Sequence, residues 1–146
     1  LDVWPEASGL GIDVSPEALA VARANAQGCA MAGRAAFRLG DWGQGLDGRF
    51  DLILCNPPYI RDDAELPRDV AAYEPALALY GGADGLDAYH VLARQIGPLL
   101  TDAGVAIIEI GADQGASAPP LFRARGLAVE LGRDLAGRPR CLRVTP

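Results

Sequence analysis

The sequence contains no lysine, only one histidine (His90) and only three cysteines in 146 residues. Its 13 bases are therefore all arginine, they stand singly along the chain, and 19 acids outweigh them to leave a formal net charge of -6. Proteins that grip a nucleic-acid backbone neutralise several phosphates with a clustered basic surface. No basic tract exists here, so direct nucleic-acid binding is not expected. Cys29, Cys55 and Cys141 are odd in number, widely spaced and form no C-x-x-C pair, which argues against a disulfide framework and against a zinc site. No metal site is expected, and a cytoplasmic, reducing location fits. A lone histidine is more often a surface residue than a catalyst or ligand. Long apolar runs are missing too: the longest stretch without a charge, residues 24–33, is about half the ~20 residues a membrane-spanning helix requires. Leu1-Asp2-Val3-Trp4 lacks an initiator methionine, a basic n-region and a signal-type apolar segment, and reads as the start of a fragment rather than as a targeting peptide.

What is present is ordinary globular composition, with half the residues hydrophobic, 22% charged, 18 Gly and 11 Pro. The length predicts one domain, residues 1–146, burying roughly two-thirds of its unfolded surface. The apolar run Leu10-Gly11-Ile12 ends in Asp13, and Ser15-Pro16-Glu17 supplies an N-cap, a proline at the first helical position and an acid in the first turn. An alanine-rich helix is expected from Glu17 to about Ala32, with Leu19, Ala22 and Ala26 on its apolar face. Ala36-Phe37-Arg38-Leu39 alternates as a strand and stops at Gly40-Asp41-Trp42. Residues 50–55 are nearly continuous apolar sequence, the pattern of a strand covered on both faces within a parallel sheet.

Residues 61–85 show no clear periodicity and carry Pro67, Pro75, Gly81-Gly82 and Asp84-Gly85, so a long loop with one helical turn is expected, and loops of that length are often functional. Leu86, Tyr89, Ala93, Ile96 and Leu100 fall at helical spacing, with Pro98 kinking or ending the helix. A buried strand follows at residues 105–110 and a short helix at about 118–125. The last two strands, residues 127–133 and 141–144, are joined by too few residues for a parallel crossover and must pair as an antiparallel hairpin. The class is α/β.

In an open, mostly parallel sheet, ligands bind beyond the carboxyl ends of the strands. Asp13, Asp41 and Asn56 each stand at such an end. A carboxylate can accept both hydroxyls of a ribose, which makes Asp13 a candidate for that contact, with capping of the loop before Ser15 as an equally good alternative. Asn56-Pro57-Pro58-Tyr59 is the most informative segment. The asparagine offers one acceptor and two donors, the prolines fix a rigid backbone with free carbonyls, and two acceptors holding the hydrogens of a planar NH₂ group would orient it and raise electron density on nitrogen. Tyr59 could stack on a flat substrate group and favour a sulfonium through its π-face.

With Asp13-Val14-Ser15 and Asp41-Trp42 before it, Asn56-Pro57-Pro58-Tyr59-Ile60 resembles the motif of class I S-adenosylmethionine-dependent amino methyltransferases. Tyr73-Glu74-Pro75, Ala78-Leu79, Gly81-Gly82, Asp84-Gly85-Leu86-Asp87, Glu109-Ile110-Gly111 with Gln114, and Asp134-Leu135-Ala136-Gly137-Arg138 narrow the resemblance to the HemK/PrmC peptide-chain-release-factor glutamine methyltransferases, from about residue 9 to the end. This implies a Rossmann-like class I methyltransferase sheet, mostly parallel with a C-terminal antiparallel hairpin. The family's first strand and glycine-rich loop, and the helical domain before them, have no counterpart here; residues 1–7 resemble the tail of its first helix, so a partial catalytic domain is expected.

The resemblance also implies an activity: methyl transfer from S-adenosylmethionine to the side-chain amide nitrogen (N5) of the glutamine in the Gly-Gly-Gln motif of a release factor, the protein partner. Asp13 would bind the cofactor ribose, and Asp41 and Trp42 would frame its adenine. Asn56 would touch the cofactor and, with the Pro57 carbonyl, hold the glutamine NH₂, while Pro58 and Tyr59 shape the slot. Asn56, Pro57 and Tyr59 thus carry the catalytic role. Glu109, Gln114 and Arg138 are expected to be structural partners, and residues 61–85 could form a lid. Alternatives are a ribosomal-protein glutamine or a nucleic-acid exocyclic amine as acceptor, or an inactive truncated module.

Overall fold

The computed structural model describes all residues, Leu1–Pro146, and divides into two compact units, Leu1–Leu46 and Asp47–Pro146. In the first, β1 (Gly9–Asp13) and β2 (Ala35–Leu39) pair in parallel, with Asp13 opposite Leu39. Parallel neighbours need a crossover, and α1 (Pro16–Gly28) provides it. The Ser15 hydroxyl accepts from the Ala18 N–H at 3.0 Å, Pro16 opens the first turn and Glu17 complements the helix dipole. Leu19 is buried, with Ala22 and Ala26 half-buried on the same face.

Two sequence expectations are corrected in this unit. The helix stops at Gly28 rather than about Ala32, because Ala30 turns left-handed (φ 55) and the Met31 N–H reaches back to the Ala26 carbonyl at 2.8 Å. Alanine propensity is a weak bias that this cap overrides. Residues 1–8 form no helix. Pro5 has no N–H to donate, and the Ala7 N–H closes a turn onto the Trp4 carbonyl at 3.1 Å. Instead the Arg34 guanidinium gathers the carbonyls of Leu1, Trp4 and Ala7.

The second unit contains β3 (Phe50–Cys55), α2 (Arg68–Tyr73), α3 (Ala76–Leu79), α4 (Asp87–Leu99), β4 (Leu100–Glu109), α5 (Pro119–Arg123), β5 (Ala128–Arg133) and β6 (Pro139–Thr145). Its sheet has the order β3-β4-β6-β5. β3 and β4 run parallel, while β6 is antiparallel to both β4 and β5. The expected terminal hairpin therefore forms, its turn tied by Asp134 Oδ1, which accepts from the N–H groups of Ala136 and Arg138. Packing of α4 and α5 with the sheet builds the core: Tyr89, Leu92 and Ile96 from α4, Phe122 from α5, Ile108 from β4, and Leu142 and Val144 from β6 are all buried. Each large side chain sealed there contributes roughly 1.5–3 kcal/mol. Pro98 falls in the last turn of α4, where the helix ends at Leu99.

Two further expectations differ from what the chain does. β3 is not covered on both faces: Leu52 and Leu54 are 39% and 71% exposed. β4 is its one neighbour in the sheet, so β3 is an edge strand. Residues 61–85 carry two short helices, α2 and α3, rather than one helical turn, each begun by a proline at the N-cap, Pro67 and Pro75, whose carbonyls accept from Ala71 and Ala78. Neither helix buries a residue. With parallel and antiparallel ladders in a mixed sheet, the α/β class is as expected. No helix is long and apolar enough to cross a membrane.

Candidate active site

In the first unit, Asp13 is the last residue of β1 and Asp41 lies two positions beyond β2. Asp13 Oδ1 accepts from the Ser15 N–H at 2.8 Å, so the loop-capping alternative is realised. A carboxylate has about four lone-pair sites, and the exposed Asp13 retains acceptor capacity beyond this bond. Trp42 is half-buried rather than sealed in a core, and its backbone is left-handed (φ 54). That conformation is uncommon for a bulky residue and marks the Asp41-Trp42 turn as a place where the chain gives up local comfort.

In the second unit, Asn56 follows directly on β3. Its carboxamide is exposed and is not consumed by any side-chain hydrogen bond within the chain, while Pro57 is buried. Residues 56–60, with Ala78 and Leu79 of α3, line a pocket of about 120 Å³. The lining contains no carboxylate, histidine or cysteine, so it offers hydrogen-bond acceptors, an aromatic ring and shape rather than a base. Residues 79–87 strap onto this motif. The Ile60 N–H donates to the Leu79 carbonyl at 3.0 Å, the Gly81 N–H to the Ile60 carbonyl at 2.8 Å, and the Asp62 N–H to the Gly82 carbonyl at 3.1 Å. A Cβ on Gly81 would fall 2.7 Å from the Pro58 carbonyl oxygen, and one on Gly85 (φ 73) would overlap the Tyr59 carbonyl. These glycines allow backbone to lie directly on backbone.

Behind the motif, the Tyr59 hydroxyl donates to Glu109 Oε1 at 3.1 Å. Burial pushes that hydroxyl above the ordinary tyrosine range, the Glu109 hydrogen bond adds to this, and nearby Arg140 opposes it. Gln114 Nε2 donates to the carbonyls of Tyr59 at 3.2 Å and Gly85 at 3.0 Å, and its Oε1 accepts from the Gly111 N–H at 2.9 Å and the Tyr89 hydroxyl at 3.0 Å. Cys55, at the end of β3, is held as a thiol by burial, which pushes it up to about 12. His90 is exposed on α4. Arg138 is structural, pairing with Asp134 in the hairpin turn at 3.1 Å. Glu109 and Gln114 engage Tyr59 directly, a role their sequence positions signalled only weakly, through an acid closing the apolar run of β4 and a glutamine three residues after Gly111.

The family model described as a methyltransferase domain matches residues 2–113. A curated relative from Rhodospirillum rubrum named release factor glutamine methyltransferase is 47% identical over 141 residues, 94% of this chain and 43% of that protein. A second of the same name, from Cereibacter sphaeroides, is 48% identical over 139 residues, 93% of this chain and 50% of that protein. The chain thus spans about half the length of the curated relatives it matches. A solved structure, a methyltransferase from Pyrococcus furiosus, superposes with a TM-score of 0.66 at 19% identity, covering 94% of this chain and 61% of that one. That likeness is one of fold.

Proposed function

The chain belongs to the methyltransferase domain family, and on that premise we propose that the protein methylates the side-chain amide nitrogen (N5) of the glutamine in the Gly-Gly-Gln motif of a peptide chain release factor, using S-adenosylmethionine. The names of its half-identical relatives support this acceptor. The observation that carries it is the pocket at residues 56–60. Its volume is about 120 Å³, and its walls are the Asn56-Pro57-Pro58-Tyr59 backbone and side chains with Ile60, Ala78 and Leu79. A planar carboxamide with two N–H donors suits a lining of carbonyl acceptors and an aromatic ring.

The residues present fit the cofactor. In the first unit Asp13 keeps acceptor capacity for ribose hydroxyls and the exposed Asp41 and half-buried Trp42 offer a carboxylate and an indole to adenine; in the second unit the exposed Asn56 would offer its carboxamide. When bound, S-adenosylmethionine supplies a methyl group on a sulfonium, the electrophile for displacement by nitrogen. The Asn56 side-chain oxygen and the Pro57 carbonyl accept the two hydrogens of the acceptor amide and fix its plane. Their pull raises electron density on a nitrogen whose lone pair is otherwise delocalised. Pro58 and Tyr59 confine the amide, Tyr59 by stacking. Holding reactants in line can remove roughly 7–11 kcal/mol of barrier without a strong base, which matches a lining free of titratable bases. The amide's surplus proton passes to a backbone acceptor or to solvent.

Incubating the complete protein with a release factor and S-adenosylmethionine, followed by peptide mass spectrometry, tests this. One added methyl on the Gly-Gly-Gln glutamine is expected. An unmodified release factor beside a methylated ribosomal-protein glutamine or nucleic-acid amine would overturn the proposed acceptor.

A further inference from the structure

We infer that Gln114 is a positioning residue for methyl transfer: its carboxamide locks the backbone of Tyr59 to the turn at residues 81–85 and so sets the width and orientation of the acceptor pocket. This rests on the reading of that pocket as the acceptor site. Gln114 is 5% exposed, a buried carboxamide. A carboxamide has two N–H donors and an oxygen with two lone pairs, and here every one of them is used. The two donors go to the Tyr59 and Gly85 carbonyls, and the oxygen accepts from the Gly111 N–H and from the Tyr89 hydroxyl, whose single proton it shares with the Glu109 carbonyl at 3.2 Å. Four segments meet at one group: the pocket motif, the 81–85 turn, the loop after β4, and α4.

The amide can sit in only one orientation. Turned over, its NH₂ would face the Gly111 N–H and its oxygen would face two carbonyls, leaving buried polar groups unpaired. An apolar side chain of the same length would fill the same volume, so packing alone does not call for a glutamine there. Gln114 is also absent from the pocket lining and reaches the motif only through the Tyr59 carbonyl. It therefore acts through Tyr59 and touches neither substrate nor cofactor. The strap bonds that depend on the same register are those of Ile60, Asp62, Gly81 and Asp87, the last donating to the Gly81 carbonyl at 3.0 Å.

The test compares Gln114→Met, Gln114→Glu and Tyr89→Phe in the complete protein. Met keeps the volume and removes all four bonds, Glu keeps the shape and turns two donors into acceptors facing carbonyls, and Tyr89→Phe removes one donor with the amide in place. Each variant is read for kcat, for KM toward S-adenosylmethionine, and for amide hydrogen exchange. With Gln114→Met, kcat is expected to fall about 10- to 100-fold, the scale on which small misplacements act, while KM for the cofactor stays within about twofold. Protection should be lost at Ile60, Asp62 and Gly81 and kept in the ladder between β4 and β6. Gln114→Glu should match it, and Tyr89→Phe should lose less than tenfold. An unchanged kcat in a folded Gln114→Met or Gln114→Glu protein would overturn the proposal. So would a fall in kcat accompanied by an equal rise in cofactor KM and by loss of protection throughout the chain, the mark of a merely structural role. Should Gln114→Met fail to fold, the other two variants decide. The exchange pattern does not depend on the acceptor, and kcat can be read on whichever acceptor the wild type methylates, so failure of the release-factor assignment is distinguishable from failure here.

Discussion

Replacing Gly85 by alanine should destabilise the protein more than the same change at Gly126, and the difference isolates the effect of laying backbone on backbone. Both glycines are left-handed, at φ 73 and φ 81, so both substitutions incur the ~1–2 kcal/mol that an L-residue spends in that region. A Cβ on Gly126 would meet nothing within 4 Å, so its penalty ends there. A Cβ on Gly85 would lie 2.8 Å from Gln114 Nε2 and overlap the Tyr59 carbonyl. A backbone carbonyl cannot swing aside like the tip of a long side chain, so the turn must lift, stretching both donors of a buried amide. A stranded group of that kind is worth about 1–3 kcal/mol. Gly85→Ala should therefore lose about 2–5 kcal/mol in total. Urea unfolding of the complete protein reads this directly as a lower midpoint at constant slope, and a separation of about 2 kcal/mol is roughly 30-fold in the unfolding constant. Equal stabilities for the two variants, within about 0.5 kcal/mol, would refute the account of the strap.

Tyr59→Phe removes the bond to Glu109 but keeps the ring, so methyl transfer should fall less than tenfold with the fold intact; Tyr59→Ala, which also removes stacking, should lose at least tenfold more in the same radiolabel assay. Stability should decline at alkaline pH. Cys55, Tyr59 and Tyr89 are all pushed upward, chiefly by burial, so above the ordinary ionisation range the folded state holds more protons than the unfolded one. That stabilisation is complete below the unfolded values and is lost as pH rises; for Cys55 the window runs from 9.0 to about 12. Each proton of difference gives a slope of about 1.4 kcal/mol per pH unit. Thermal unfolding between about pH 8 and pH 11 should show it, with a shallower slope in Cys55→Ala. At pH 8 iodoacetamide should alkylate the exposed Cys29 at least tenfold faster than Cys55, read by peptide mass spectrometry.

Local chemistry was legible along the chain. Ser15, Pro16 and Glu17 announce a helix start because capping is decided within four residues, and the short link between the last two strands leaves an antiparallel hairpin as the one available geometry. Asn56 to Tyr59 stood out because two prolines after an apolar strand restrict the backbone wherever they occur. What escaped depends on partners remote in sequence. Tyr59 meets Glu109 and Gln114 across 50 and 55 positions, and neither bond leaves a trace in periodicity. The glycines at 81 and 85 read as turn punctuation, and only the surfaces they rest on show their use. Pro67 and Pro75 read as breakers of a loop, yet each begins a helix, because the same fixed φ serves both purposes. That β3 stands at a sheet edge with Leu52 and Leu54 exposed follows from what the rest of the chain places beside and over it, information that its own six residues do not contain.

That edge has a consequence for how the chain behaves in company. An unpaired strand rich in leucine and isoleucine is a template on which another molecule can add its own strand, and such edges are ordinarily blunted by charge or proline. β3 carries both at its ends, with Asp51 at its second position and Pro57-Pro58 just beyond Cys55. The sticky portion is thereby confined to Leu52, Ile53 and Leu54. Removing the charge, as in Asp51→Leu, should extend the sticky portion by a rung and let one copy add its strand to another at lower concentration.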